Sequence, residues 1–336
     1  MTTISAVLIA KDERDTVGRC VRSLKGIEQI VVLDTGSSDG TPFMAQKEGA
    51  EVHVGTKRDP FHFADARNEA LSHATGDWIL SIDADETLRP GSVGAIRDAV
   101  RVGGYEGFRV LHLDRRPGST VEVSDRKLRL FKRGRLKWKY RIHELLEPEG
   151  APAKIGKLDD CSMEHLPPPG RDKSYRNLEL LRLCVKESPE HHGALMKLGQ
   201  ELLLAGEIGE GIYRLQEYTE KEGPAPDFKS EAFCQIGRAI AKQNRLEDAL
   251  DVFEKAHQAA PLRREPLWYA ALELMKAAKI PAAKGFLKAC ISIPKTAKSE
   301  FHLNLPEVWD KLPIEALAWC EAELRKAEET WKRQKA

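Results

Sequence analysis

One acidic triplet in the sequence could grip a hard cation: Asp83-Ala84-Asp85, followed by Glu86 and preceded by the apolar run at residues 78–82. Two carboxylates at the end of a strand face the ligand edge of an α/β sheet. Mg2+ or Mn2+ commonly joins such carboxylates to substrate phosphates. Alone the triplet is weak, because most acidic triplets are solvated turns. A second polar cluster, Asp34-Thr35-Gly36-Ser37-Ser38-Asp39-Gly40-Thr41, also follows an apolar run. Asp34 can accept a hydrogen bond from a base or a ribose. Gly36 and Gly40 permit a tight turn, and Ser38 or Asp39 suits the cap of a following helix. The ligand role goes to Asp34 and the structural one to Asp39. Lys11-Asp12-Glu13 closes the first apolar run, with Lys11 and Glu13 as candidates for the nucleotide side of a site. Arg67, within Ala66-Arg67-Asn68-Glu69-Ala70, carries forked donors that match a diphosphate. Taken singly, the last two read more simply as surface charge.

These residues need a frame. The first ~110 residues alternate short apolar runs with amphipathic stretches. Strands are expected at 5–10, 29–33, 51–54 and 78–82. Helices are expected at 16–24, 41–48, 64–73 and from Pro90 to about Val102. That order predicts a Rossmann-like α/β domain, mainly parallel, with helices on both faces and ligands at the carboxyl ends of the strands. Residues 107–165 lose the rhythm, with strands expected at 107–113 and 124–131. Pro167-Pro168-Pro169-Gly170 is a strong breaker. It places a boundary between a catalytic domain at 1–168 and a helical domain at 169–336.

The second part repeats. Gly237, Ala249, Ala256 and Pro261 fit the small-residue positions and closing proline of a 34-residue tetratricopeptide (TPR) unit. Ala271 and Ala283 stand in the equivalent places of a next unit. An earlier unit begins near His192, with Gly199 and Gly211 in register. Residues 306–335 are expected to cap the array.

The 336 residues are 41% hydrophobic and 31% charged, which suits soluble domains with real cores. The net charge of +1 names no partner. Cys20, Cys161, Cys184, Cys234, Cys290 and Cys320 form no C-x-x-C pair, so free thiols in a reducing compartment are expected. The apolar run at 6–10 is too short for a signal peptide or a membrane span. The expected location is the cytoplasm, with no transmembrane segment.

The succession KDE, VVLDTGSSDGT, ADARNEAL, GDWILSIDADE closely resembles family 2 glycosyltransferases of the GT-A fold, in particular those with a TPR-like C-terminal domain. The similarity is strong over residues 4–90 and continues through KLRLFKRGRLKWKYRIHELLE and MEHLPPPGRDKSYRNLELL. It implies a nucleotide-binding role for Asp34 and a diphosphate role for Arg67. Asp83 and Asp85 become the D-x-D, with Asp85 the direct metal ligand and Asp83 nearer the ribose. Glu144 and His143 become candidates for the general base, and His165 a third protein ligand to Mn2+ or Mg2+. Lys173, Tyr175, Arg176 and Asn177 are candidates to line a cleft. The sequence departs from the wider family at Thr35, where a D-D-G-S turn has its second aspartate, and this touches base recognition.

The expected activity is inverting, metal-dependent transfer of a hexose or HexNAc from a nucleotide-sugar, most often UDP-linked. The acceptor is a hydroxyl or other nucleophile on a peptide, protein or glycan, with the helical domain binding it. A nucleic-acid acceptor such as modified DNA, or another anionic polymer, stays open. Arg126, Lys127, Arg129, Lys132, Arg133, Arg135, Lys137, Lys139 and Arg141 crowd together with Phe131, Trp138 and Tyr140 interleaved, and cations with aromatics can grip a strand. That stretch could equally be a track for the diphosphate, and its simpler reading is a solvated basic face. Two other function classes compete: a catalytically silent scaffold for a protein partner, and a nucleotidylyltransferase. The latter wants a glycine-rich basic loop after the first strand, which Ile9-Ala10-Lys11-Asp12-Glu13 does not provide.

Overall fold

The computed structural model describes residues 2–115, 122–166, 174–297 and 305–335. The chain forms two compact units, Met1–Ser188 and Pro189–Ala336. The proline-rich break and Lys173 lie outside the described residues, as do the side chains of Tyr175 and Arg176.

The first unit contains, in chain order, β1 (Ile4–Ala10), α1 (Arg14–Ser23), β2 (Gln29–Asp34), α2 (Thr41–Lys47), β3 (Glu51–Val54), α3 (Phe63–Ser72), β4 (Trp78–Ser81), β5 (Glu86–Leu88), α4 (Ser92–Val102), β6 (Gly107–Arg115), β7 (Glu122–Lys132), β8 (Leu136–Lys139), β9 (Leu145–Pro148), β10 (Ile155–His165) and α5 (Ser174–Glu187). Successive strand side chains point to opposite faces. On β1, Ile4, Ala6, Leu8 and Ala10 enter one core with Val17, Val21 and Ile96. Val7 enters the other with Val31, Ala66, Ala70, Ile79 and Phe131. Helices α1 and α4 therefore cover one face and α3 the other, which is why β1 reads as an unbroken apolar run.

Eight strands join in the order β3-β2-β1-β4-β7-β6-β10-β5. The β1–β2, β1–β4, β2–β3 and β6–β10 pairs are parallel. The β4–β7, β6–β7 and β5–β10 pairs are antiparallel. Building starts at β1, moves outward through β2 and β3, and returns to place β4 on the other side of β1. That reversal opens a crevice beyond the carboxyl ends of the strands. This mixed α/β sheet with helices on both faces agrees with the expected α/β class. The helix expected from Pro90 starts at Ser92, because Gly91 at φ 89° breaks the helical path.

The second unit pairs α6 (His192–Leu204) with α7 (Ile208–Glu220), α8 (Pro226–Ala241) with α9 (Leu246–Ala259), and α10 (Glu265–Lys276) with α11 (Ile280–Ser292), before α12 (Pro306–Asp310) and α13 (Leu312–Lys335). The small residues sit where paired helices touch. A Cβ on Gly199 would lie 2.6 Å from Leu215, and one on Gly237 would lie 2.6 Å from Phe253. Ala249, Ala271 and Ala283 are fully buried. All six cysteines are buried free thiols. Among the described residues no helix is long and apolar enough to cross a membrane.

Candidate functional site

The loops that follow β1 and β2 are laced together by short polar side chains. The Asp12 carboxylate accepts from the Ser38 N–H at 2.8 Å, and the Asp12 N–H donates to the Ser37 hydroxyl at 2.9 Å. Asp39 accepts from the Arg14 N–H and from both donors of Thr41, which fixes the entry to α2. Asp39 is thus structural, as its sequence context suggested. Glu13 is also tied into the frame: its carboxylate accepts the Thr16 hydroxyl at 2.7 Å at the start of α1. Lys11 is exposed at the end of the same strand.

Asp34 ends β2 and is only 6% exposed. Its Oδ2 accepts from the N–H groups of Gly36 and Ser37, each at 3.2 Å, so the turn positions its own aspartate. Its Oδ1 is buried without a partner among the described residues. An unsatisfied buried acceptor costs about 1–3 kcal/mol, a cost a ligand donor would remove.

The D-x-D divides into two different environments. Both oxygens of Asp83 are taken by arginines: Oδ1 accepts from Arg67 at 2.7 Å and Oδ2 from Arg129 at 2.8 Å. Burial opposes ionisation there, but Arg129 and Arg67 hold the Asp83 carboxyl well below the usual carboxylate range. Arg129 also donates to Glu86 at 2.8 Å, and Glu86 accepts the Asp83 N–H and meets His112 Nε2 at 2.8 Å. Burial likewise opposes the charge on Arg67, yet Asp83 and Glu144 raise its affinity for the proton. Arg67 Nε donates to Glu144 Oε1 at 2.5 Å, and the guanidinium lies over the Trp138 ring at 4.9 Å. The Arg67 contact is made through Glu144 Oε1, and the Glu144 side chain is 12% exposed. His143 is exposed and has φ 54°.

Asp85 turns toward β10 instead. Its Oδ2 stands 3.4 Å from His165 Nε2, and His165 Nδ1 stands 3.0 Å from Asp114. The Asp85 hydrogen bond outweighs burial, and with Asp114 it raises the His165 pKa to about 9.

The expected ligand trio of Asp83, Asp85 and His165 is therefore not assembled as three. Asp83 faces the arginines, and no group of three or more metal-ligating side chains forms among the described residues. Asp85 and His165 do fit a divalent ion as a pair. A carboxylate oxygen and an imidazole Nε2 face each other, and Asp114 orients the ring from behind, as carboxylates do for metal-bound histidines. Mg2+ typically takes one or two protein carboxylates and leaves its remaining positions to water and phosphate.

Sequence reasoning missed His112 and Asp114, and it named Glu86, Arg129 and Trp138 without placing Glu86 and Arg129 against Asp83 or Trp138 against Arg67. The basic stretch that contains Arg129 is largely consumed within its own domain. Arg126 pairs with Asp159, Arg135 with Glu106, Lys139 with Glu147 and Arg141 with Glu187, while Arg133 donates to the Gly76 carbonyl. Arg129 itself is 5% exposed, against the expectation of a solvated basic face.

Comparison with known proteins bears on this site. Residues 5–150 match the family profile described as glycosyl transferase family 2. A TPR repeat-containing protein of Synechococcus elongatus is 29% identical over 274 residues, covering 77% of this chain and 66% of that protein. The lipopolysaccharide core biosynthesis glycosyltransferase LpsC of Rhizobium meliloti is 30% identical over 177 residues, covering 49% of this chain and 63% of LpsC. The chain thus spans less than two thirds of the length of LpsC and just under that share of the Synechococcus protein. Glucosyl-3-phosphoglycerate synthase of Mycobacterium tuberculosis, solved with Mn2+, uridine diphosphate and glucosyl-3-phosphoglycerate, is 26% identical over 35% of this chain and 45% of its own, with a TM-score of 0.30.

Proposed function

We propose, from the match of residues 5–150 to the glycosyl transferase family 2 profile, that the chain is an inverting transferase moving a hexose or HexNAc from a nucleotide-sugar, UDP-linked first, to a peptide or protein acceptor. The observation that carries this reading is the meeting of Glu144 with the D-x-D through one arginine. Arg67 touches Glu144 with Nε and Asp83 with Nη2. A base candidate and a phosphate-binding cation so arranged suit a single displacement.

The orphan Oδ1 of Asp34 supports nucleotide recognition, since a base N–H or ribose hydroxyl would satisfy it. Arg67 faces charge that grows on the leaving diphosphate. A divalent ion held by Asp85 and His165 would neutralise part of that charge. Glu144 Oε2 takes the acceptor's proton as the nucleophile bonds to the anomeric carbon. The bond from that carbon to the diphosphate oxygen breaks, and its electron pair leaves with the nucleoside diphosphate. His143, exposed one residue earlier, orients the acceptor in this reading. The TPR-like hairpins favour an extended peptide chain as the acceptor. A glycan comes second. Nucleic acid loses support because so many cations of the basic stretch are already paired.

Incubation with UDP-, GDP- and TDP-sugars and Mn2+ tests the reading. Metal-dependent release of one nucleotide, with sugar mass appearing on co-purifying or added peptide, is the expected result. No release from any donor, together with tight capture of a protein partner, returns the chain to the scaffold class.

A further inference from the structure

Glu144 is delivered by a loop whose backbone takes two unusual turns. Between β8 and β9, Tyr140 has φ 75° and His143 has φ 54°. Side chains with a Cβ rarely adopt that region, and such residues persist only where their surroundings enforce them. Two within four positions call for an external clamp, and Arg141 lies between them. Its carbonyl accepts the Phe63 N–H at 2.8 Å. Its Nη1 donates to the carbonyls of Pro60 and Phe61 at 3.0 and 2.9 Å. Its Nε and Nη2 fork onto the two Glu187 oxygens at 2.8 and 2.7 Å. Beside it Ile142 is buried, and its carbonyl receives the Cys184 thiol of α5 at 3.9 Å.

We propose that Arg141 and Glu187 form a positioning pair that fixes the 140–144 loop, so that Glu144 meets Arg67 and its second oxygen faces the acceptor. The proposal rests on the base role given to Glu144 above. A bidentate arginine–carboxylate pair fixes orientation as well as distance. The Glu187 side chain is 43% exposed, and ion pairs so exposed add little to stability. The pair's contribution is therefore geometric. Its effect passes through Glu144; neither residue is assigned contact with substrate.

The test compares wild type with Glu187→Gln, Arg141→Lys, the double variant and Glu187→Asp. Asp159→Asn, which breaks the Arg126 pair on the strand surface, is the control. Each single variant is expected to lower kcat on the order of tenfold, with donor KM within about twofold, because small misplacement of a catalytic group slows chemistry without weakening donor binding. The double variant should be no worse than the worse single one, since the two residues act as one unit. Glu187→Asp, one methylene shorter, should recover part of the loss, and Asp159→Asn should match wild type. Unchanged kcat in both singles overturns the proposal. So does a loss shared by kcat, affinity for Mn2+ with uridine diphosphate, and melting temperature. A crystal structure of Glu187→Gln reads the same question without turnover: Glu144 leaves Arg67 if the proposal holds and stays in place if it does not. A wild type that turns over no donor sinks the functional reading alone, and that crystal structure still decides the positioning question.

Discussion

The side chains of Arg67 and Glu144 meet at 2.5 Å, Nε to Oε1, across 77 positions of sequence. The same guanidinium spends a second nitrogen on Asp83. Arg67→Lys keeps the charge but cannot serve both partners in one plane. Turnover should fall about 100-fold, in the range seen when a single preorganised donor is removed. Steady-state kinetics with the competent donor measures this, and a variant within threefold of wild type would make the arginine dispensable.

The two aspartates of the D-x-D should respond differently to substitution. Asp83→Ala leaves Arg67 and Arg129 without their shared carboxylate, and breaking a buried ion pair from one side is costly. Urea unfolding should show a loss on the order of 3 kcal/mol. Asp85→Asn should lose less in the same experiment, because only the His165 contact is weakened and His165 keeps Asp114. Equal stability losses at both positions would mean that the triplet is a structural unit throughout.

Arg141 holds the Glu187 carboxyl below its ordinary range. A carboxyl depressed on folding adds stability above its unfolded pKa of about 4.3 and loses it as pH falls through the folded value. Relative to wild type, acid unfolding of Arg141→Met should therefore show a shallower dependence in that low window, and the stability it lacks should be fully present as a difference above about pH 4.3 and vanish below the folded pKa. Carbon-detected NMR of the Glu187 carboxyl should find its midpoint back in the ordinary range in that variant. A midpoint that does not move would show that Arg141 is not the cause.

Much of this was legible in the sequence, for reasons particular residues make clear. The strands before Asp34 and Asp83 are buried on both faces, so each reads as a continuous apolar run that ends at its polar payload. Gly199/Gly211, Gly237/Ala249 and Ala271/Ala283 keep one spacing because each pair marks a helix crossing. By contrast β10 was not legible. Its pattern is broken by a register shift between Leu158 and Ser162, and its residues include Lys157, Asp159, Asp160 and Glu164. Arg129 was misread because its partners, Asp83 and Glu86, come from more than 40 positions away. A basic residue in a strand looks solvated until the acids that bury it are placed. The split of the D-x-D between arginines and histidine has a similar origin: His165 arrives on β10, which the local pattern does not announce, and Asp114 lies one residue past the strand expected at 107–113.

The repeat glycines offer a test of the helical unit. Gly237→Ala forces a Cβ to within 2.6 Å of the Phe253 ring and should cost about 1–3 kcal/mol. Gly285→Ala, inside α11 with nothing within 4 Å, should instead gain roughly 0.5–1 kcal/mol from helix propensity. Chemical denaturation of the two variants settles the contrast, and a stable Gly237→Ala would deny the close crossing of α8 and α9.

The most direct measurement is release of nucleoside diphosphate from a UDP-sugar by wild type and by Asp85→Ala, each with Mn2+ and after chelation. The account predicts turnover by wild type that stops on chelation and returns with Mn2+, and none by a folded Asp85→Ala under either condition. Wild-type-like, chelator-sensitive turnover in Asp85→Ala would contradict the assignment of the cation to Asp85 and His165.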